Sequence, residues 1–255
     1  MRTLLVTTTG LLLLACLAGC ATTNGQNKTT QSKENITIDN GILCVSYNLK
    51  DGTFSVRRGE NVFIKQARFQ QTASANPTKA RAKRVKNELG SGKAIEVIFP
   101  SGYTYTLALY RNLPFVCIKS NIHNPTNDKI VINKMVPVSL DVDLGKPAKD
   151  LRVLGCDGLT TAEKNRTSYT FLAMAEPETR RGIVAGWLTH NRASGIVLSK
   201  PIQSSVLIEA RSEYGNLLIE PGENIDGETF AVGYFDDSLV GLEEYAGAIA
   251  KNYKI

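Results

Sequence analysis

Histidine is nearly absent: His123 and His190 are the only two in 255 residues. With so few imidazoles, a zinc centre or a His-based nucleophilic constellation has almost nothing to draw on. Charge of one sign is scarce too. Thirty basic and 24 acidic side chains leave a formal +6, a mild excess without the clustering of a dedicated nucleic-acid binder, so no nucleic-acid partner is expected. Glycine follows no period and 42% of the residues are hydrophobic, which excludes a fibre and a disordered chain and leaves room for a buried core. Complete metal and phosphate motifs are missing as well. Gly90-Ser-Gly-Lys93 lacks the first Gly and the closing Ser/Thr of a phosphate loop. Asp141-Val-Asp-Leu-Gly145 lacks the third oxygen ligand and the final Glu of a calcium loop. No cofactor or metal is therefore expected.

What is present begins with an address. Met1 and Arg2 give a short positive start, and residues 4–17 form an apolar run broken only by Thr7, Thr8, Thr9 and Gly10, the layout of an export signal and not of a membrane span. The run ends at Leu17-Ala18-Gly19-Cys20, which resembles the bacterial lipobox. That resemblance implies cleavage before Cys20 and acylation of its thiol and new α-amino group. Several acyl chains on one residue anchor a protein stably where a single chain would not. Ala21, in place of Asp, resembles lipoproteins forwarded to the outer membrane, so the expectation is an exported protein held there by lipid and facing the periplasm. Residues 1–19 are then the signal, and residues 20–34, which contain almost nothing to bury, a lipidated Cys and flexible tether. Export leaves Cys44, Cys117 and Cys156, an odd count that permits one disulfide at most. All three stand beside apolar or small residues and are expected as buried side chains in strands.

From Ile36 onward the hydrophobic pattern has period two. Ile36-Thr-Ile38, Phe54-Ser-Val56, Tyr103 to Tyr110, Phe115 to Ile122, Ile183 to Thr189 and Thr229 to Gly233 are examples, recurring at intervals of roughly ten residues with Gly, Pro and Asp at the breaks. Ser205 to Ala210 and Asn216 to Glu220 read as two strands joined by a turn at Glu213-Tyr-Gly. This spacing predicts an all-β fold, a large antiparallel β-sandwich over residues 35–235. Asp236-Asp237-Ser238 then offers helix caps, and Leu239, Leu242, Tyr245, Ile249 and Tyr253 fall at spacings of three or four. Residues 236–255 are expected to form an amphipathic helix.

A family resemblance enters on the last third of the chain. Gly182-Ile-Val-Ala-Gly-Trp187-Leu-Thr-His190, Glu213-Tyr-Gly-Asn, Glu220-Pro-Gly-Glu and Glu228-Thr-Phe-Ala-Val-Gly-Tyr-Phe-Asp-Asp237, followed by Gly241-Leu-Glu-Glu-Tyr-Ala-Gly247, resemble the N-terminal β-supersandwich of melibiase-like glycoside hydrolases, the α-galactosidase clan. The resemblance implies a galactose-mutarotase-like sandwich leading through a helix toward a catalytic barrel with two Asp residues. No residue here matches the catalytic motifs of that barrel, so no catalytic residue is expected. Three readings follow from it. The favoured one is a non-catalytic envelope lipoprotein that binds glycan or docks a glycoside hydrolase barrel. The second is the N-terminal piece of a truncated or split α-galactosidase-like enzyme, and the third a structural lipoprotein with no sugar site.

Candidate residues can be named for each role. Sugar recognition uses an aromatic face with polar groups around it, a set that Trp187, His190, Asn191 and Arg192 would supply, with Tyr214 a further aromatic; a lone Trp in a sandwich strand is, however, more often core. Leu239, Leu242, Tyr245 and Ile249 need cover from the sandwich or from a partner and are the candidate interface. The run from Lys79 to Lys86 holds five basic side chains in eight positions; near an envelope it could contact anionic lipid headgroups or polysaccharide, but it reads as the solvated face of a hairpin. Asp141 and Asp143 share a strand face, but solvent faces of sandwiches carry such pairs routinely.

Overall fold

The computed structural model describes residues 28–69, 77 and 79–255; the signal, Cys20 and most of the tether lie outside them. Among the described residues, eighteen strands pair antiparallel into two nine-stranded sheets. The first sheet orders β1 (Lys28–Gln31), β2 (Asn35–Asp39), β3 (Cys44–Asn48), β4 (Thr53–Arg58), β5 (Asn61–Arg68), β10 (Ile130–Val142), β17 (Ser205–Ile219), β16 (Ser194–Ile202) and β13 (Arg166–Tyr169). The second orders β12 (Gly158–Thr161), β11 (Arg152–Gly155), β14 (Phe171–Ala175), β15 (Gly182–Trp187), β18 (Asn224–Phe235), β9 (Val116–His123), β8 (Tyr103–Tyr110), β7 (Gly90–Ile98) and β6 (Lys79–Asn87). The expected all-β sandwich is therefore the fold, and helix α1 (Ser238–Tyr253) closes the described chain.

Alternation explains the layering. On β8, Tyr105, Leu107 and Leu109 point between the sheets, whereas Thr104, Thr106, Ala108 and Tyr110 point away. Strands β7, β9, β15 and β18 repeat the scheme, so one core of inward side chains runs from Ile36 to Val232. The outward positions of the second sheet are divided between two uses. Ala94, Ala108, Cys117, Ala173, Val184 and Ala231 form a small-residue bed on which Tyr245 and Ala248 of α1 rest, with Leu242 and Ile249 packed alongside. The neighbouring outward positions are polar and stay open.

Asp237 caps α1: its Oδ1 accepts from the Leu239 N–H at 3.0 Å while its Oδ2 meets Arg180 at 2.7 Å. Tyr245 then locks the helix down, donating its hydroxyl hydrogen to the Trp187 carbonyl at 2.7 Å. Gly186 makes this possible, because a Cβ there would stand 2.6 Å from the Tyr245 ring.

Several expectations are corrected. The tether assigned to residues 20–34 is not structureless throughout: Lys28–Gln31 pairs with Ile36–Asp39 as β1, through backbone bonds that need no apolar side chain. The two strands read at 205–210 and 216–220 are one, β17, which absorbs the positive φ of Gly215 and Asn216 and goes on pairing with β10 to Ile219. Cys44 and Cys117 are buried as expected, but Cys156 lies exposed in the turn after β11, and no disulfide joins the three. Leu242, Tyr245 and Ile249 face their own sandwich and leave only Leu239 of the candidate interface half exposed. The cover of Leu242, Tyr245 and Ile249 is intramolecular.

Candidate functional site

The open part of the second sheet's outer face is a groove of about 1000 Å³. Its floor follows from strand register. Arg81 pairs with Glu96, Glu96 with Thr106, Thr106 with Lys119 and Lys119 with Thr229, giving one polar row across five strands. Alongside it runs a second row that starts at the apolar Ile98 and turns polar through Thr104 and Asn121 to Asp226. Asn252 and Tyr253 at the end of α1 and Thr189 and Asn191 after β15 form the rim. Tyr253 ties the two sides of that rim together by accepting the His190 N–H at 3.1 Å.

Two carboxylates organise the floor. Glu96 receives Arg81 at 2.6 Å and also the Lys83 ammonium. Burial pushes its carboxyl up, but the hydrogen bonds and charges of Lys83 and Arg81 outweigh this and hold it below the usual glutamate range. Asp226 receives Lys119 at 2.9 Å and the Asn121 amide at 3.0 Å. Burial again opposes and these partners again win, with a further contribution from the Arg192 charge. Both groups are therefore anions at neutral pH.

A bulge shapes the floor beside Asp226. The pairing of β18 with β9 slips between Asp226 and Thr229, and Gly227 and Glu228 are both buried there where alternation would bury only one. Turned inward, Glu228 accepts the Arg192 N–H at 2.6 Å and the Ala193 N–H at 3.3 Å. This clamps the loop that carries Asn191 to the groove rim.

The sugar set named from sequence does not come together. Trp187 is fully buried between the sheets, its indole N–H bonded to the Ile196 carbonyl at 3.1 Å, and it offers no ring face to a ligand. Tyr214 is buried at the end of the core, in the first sheet. His190, Asn191 and Arg192 are exposed; Asn191 lines the groove and Arg192 acts on Asp226 from nearby. Arg81 and Lys83 belong to the basic run that the sequence shows; the missed residues are Glu96, Thr104, Thr106, Lys119, Asn121 and Asp226. Asp143 is engaged with Lys65 and with the Gly145 N–H at 2.7 Å, outside the groove. Among the described residues no group of three His, Cys, Asp or Glu can hold a metal ion, and no helix is long and apolar enough to cross a membrane.

Comparison with solved structures places the fold. An α-galactosidase from Lactobacillus brevis superposes with a TM-score of 0.55 at 11% identity, covering 89% of this chain and 42% of the enzyme. The GH36 α-galactosidase AgaB from Geobacillus stearothermophilus gives 0.56 at 11% identity, covering 82% and 41%. A galactose mutarotase related enzyme from Lactobacillus acidophilus gives 0.54 at 9% identity over 79% of this chain and 97% of its own. No protein-family model and no curated protein matches the sequence. The chain is a galactose-mutarotase-like β-sandwich. More particularly, it is similar to a partial domain of the GH36 enzymes that fits their N-terminal sandwich, and it spans less than half of their length.

Proposed function

We propose that this sandwich is a saccharide-binding module of the cell envelope with no hydrolytic activity of its own. The observation that carries the reading is the polar groove, where hydroxyl, amide, carboxylate and ammonium groups converge on a rigid sheet. Sugars are recognised by such groups, and the similar structures are named for galactoside and galactose enzymes. Hydrolysis needs two carboxyl groups about 5 to 9.5 Å apart, one of them protonated as the general acid. Glu96 and Asp226 stand three strand spacings apart, roughly 14 Å, and each is held ionised by cations. They suit binding better than bond cleavage.

Titration calorimetry with a galactose tetrasaccharide tests this. Asp226→Ala and Lys119→Ala should each weaken binding about tenfold, the loss of roughly one charge-assisted hydrogen bond. Equal affinity of both variants and the parent, or no binding by any of them at millimolar sugar, would reject the reading.

Attachment through Cys20 would hold the groove at a membrane surface, and its support is the sequence pattern of residues 1–21 alone. Cys20→Ser should shift the protein from the membrane fraction to the soluble envelope fraction; unchanged fractionation would refute lipid anchoring.

A further inference from the structure

Resting on the saccharide reading, we propose that the groove selects an anionic saccharide, one bearing carboxylate or phosphate groups, over a neutral one. Five bases line it, Arg81, Lys83, Arg84, Lys86 and Lys119, against three acids, Glu88, Glu96 and Asp226; on β6 only Arg81 and Lys83 share the face of Glu96, while Arg84 and Lys86 alternate to the other. Glu88 is further offset by Lys254 at 3.4 Å from beyond the lining. The surplus is positive and sits mainly on one wall.

That wall is β6, the outermost strand of the second sheet. Basic side chains on an edge strand guard against edge-to-edge pairing, which accounts for their number but not for their direction. Arg81 and Lys83 sit two residues apart, on the same side of the strand, and both reach inward to Glu96 across the floor. One carboxylate shared by two cations leaves donor capacity over: Arg81 spends its Nε and one Nη on Glu96 Oε2, and Lys83 spends one of three ammonium hydrogens. The same holds on the other side, where Lys119 gives one hydrogen to Asp226 and Asn121 shares that carboxylate. Between the two clusters lie only the neutral hydroxyls of Thr104 and Thr106. A saccharide lying on the threonines would have unspent cationic donors on both sides, an arrangement that favours ligand oxygens carrying negative charge. Fixed partners hold these cations in place before the ligand arrives, so little side-chain entropy is lost on binding.

The test compares three probes by calorimetry on the full chain: a galacturonate tetrasaccharide, the uncharged galactose tetrasaccharide and galactose 6-phosphate. At 50 mM salt the tetragalacturonate should bind at least tenfold more tightly than its neutral counterpart, and the advantage should shrink at 500 mM. Arg81→Gln and Lys119→Gln should each reduce it separately, with unchanged circular dichroism showing that the sheet is intact. A phosphate preference without a uronate preference would also support the proposal and assign the anion. Equal affinity for charged and neutral tetrasaccharides, with galactose 6-phosphate no tighter, overturns the proposal while leaving the saccharide reading standing. Absence of binding by all three overturns both.

Discussion

Trp187→Ala should lower the free energy of unfolding by about 3 to 5 kcal/mol, the range for removing a large buried aromatic side chain. The ring lies wholly inside the sandwich, packs edge-on against Phe230 with centroids 5.3 Å apart, and gives its N–H to the Ile196 carbonyl. Its space is reserved by Gly195, where any Cβ would run into the indole. Truncation would leave both a cavity and an orphaned carbonyl, and β15, hydrogen-bonded on both sides, is poorly placed to collapse into the gap. Urea denaturation measures the cost, and a loss under 1 kcal/mol would show that the ring is not the core element described. Trp187 is also the only tryptophan. Its emission should be that of a dry interior and should not respond to saccharide in the groove, which lies across the sheet from it.

The sandwich was legible in the sequence because each inward row is apolar and each outward row is not, so period two survives along most strands. Where a strand is short and little of it is buried, the signal fades. Lys28–Gln31, Gly158–Thr161 and Arg166–Tyr169 are held by backbone pairing at or near sheet edges and show no apolar alternation. The groove was harder to see for a different reason. Arg81, Glu96, Thr106 and Lys119 are scattered over about forty residues, and only pairing register places them in one row. Each taken alone reads as an ordinary solvent-facing side chain. The basic run from Lys79 to Lys86 was visible, but its composition could not tell cations spread in solvent from cations turned onto a shared carboxylate. Trp187 misleads in the opposite direction, since its polar neighbours His190, Asn191 and Arg192 begin only where the strand ends.

Tyr245→Ala should be the second costly change, about 3 kcal/mol or more, and its signature should be local. The Tyr245 ring touches Phe115 and Phe171, with centroids 6.3 and 6.1 Å away, and its hydroxyl bonds the Trp187 carbonyl where β15 ends. Leu242, Ala248 and Ile249 complete the contact, but none of them reaches the sheet with a polar group. Without the tyrosine the helix rests on small residues that contribute little area, and helices are stabilised mainly by the face they bury. Undocking would uncover Cys117, which sits in the bed beneath α1 and whose thiol burial pushes up to about 12. Alkylation followed by peptide mapping reads this directly. In the parent protein Cys156 should be labelled and Cys117 spared; in Tyr245→Ala, Cys117 should react while Cys44, on the first sheet, stays protected. Equal labelling of Cys44 and Cys117 would mean that the helix and sandwich unfold as one cooperative unit. Protection of Cys117 in the variant would mean that the bed is closed without the helix. Local exposure alone would make α1 a separable cover over half of the sheet face whose other half is the groove. Because Asn252 and Tyr253 form part of the groove rim, the same variant should then weaken saccharide binding even though Tyr245 itself lies outside the groove.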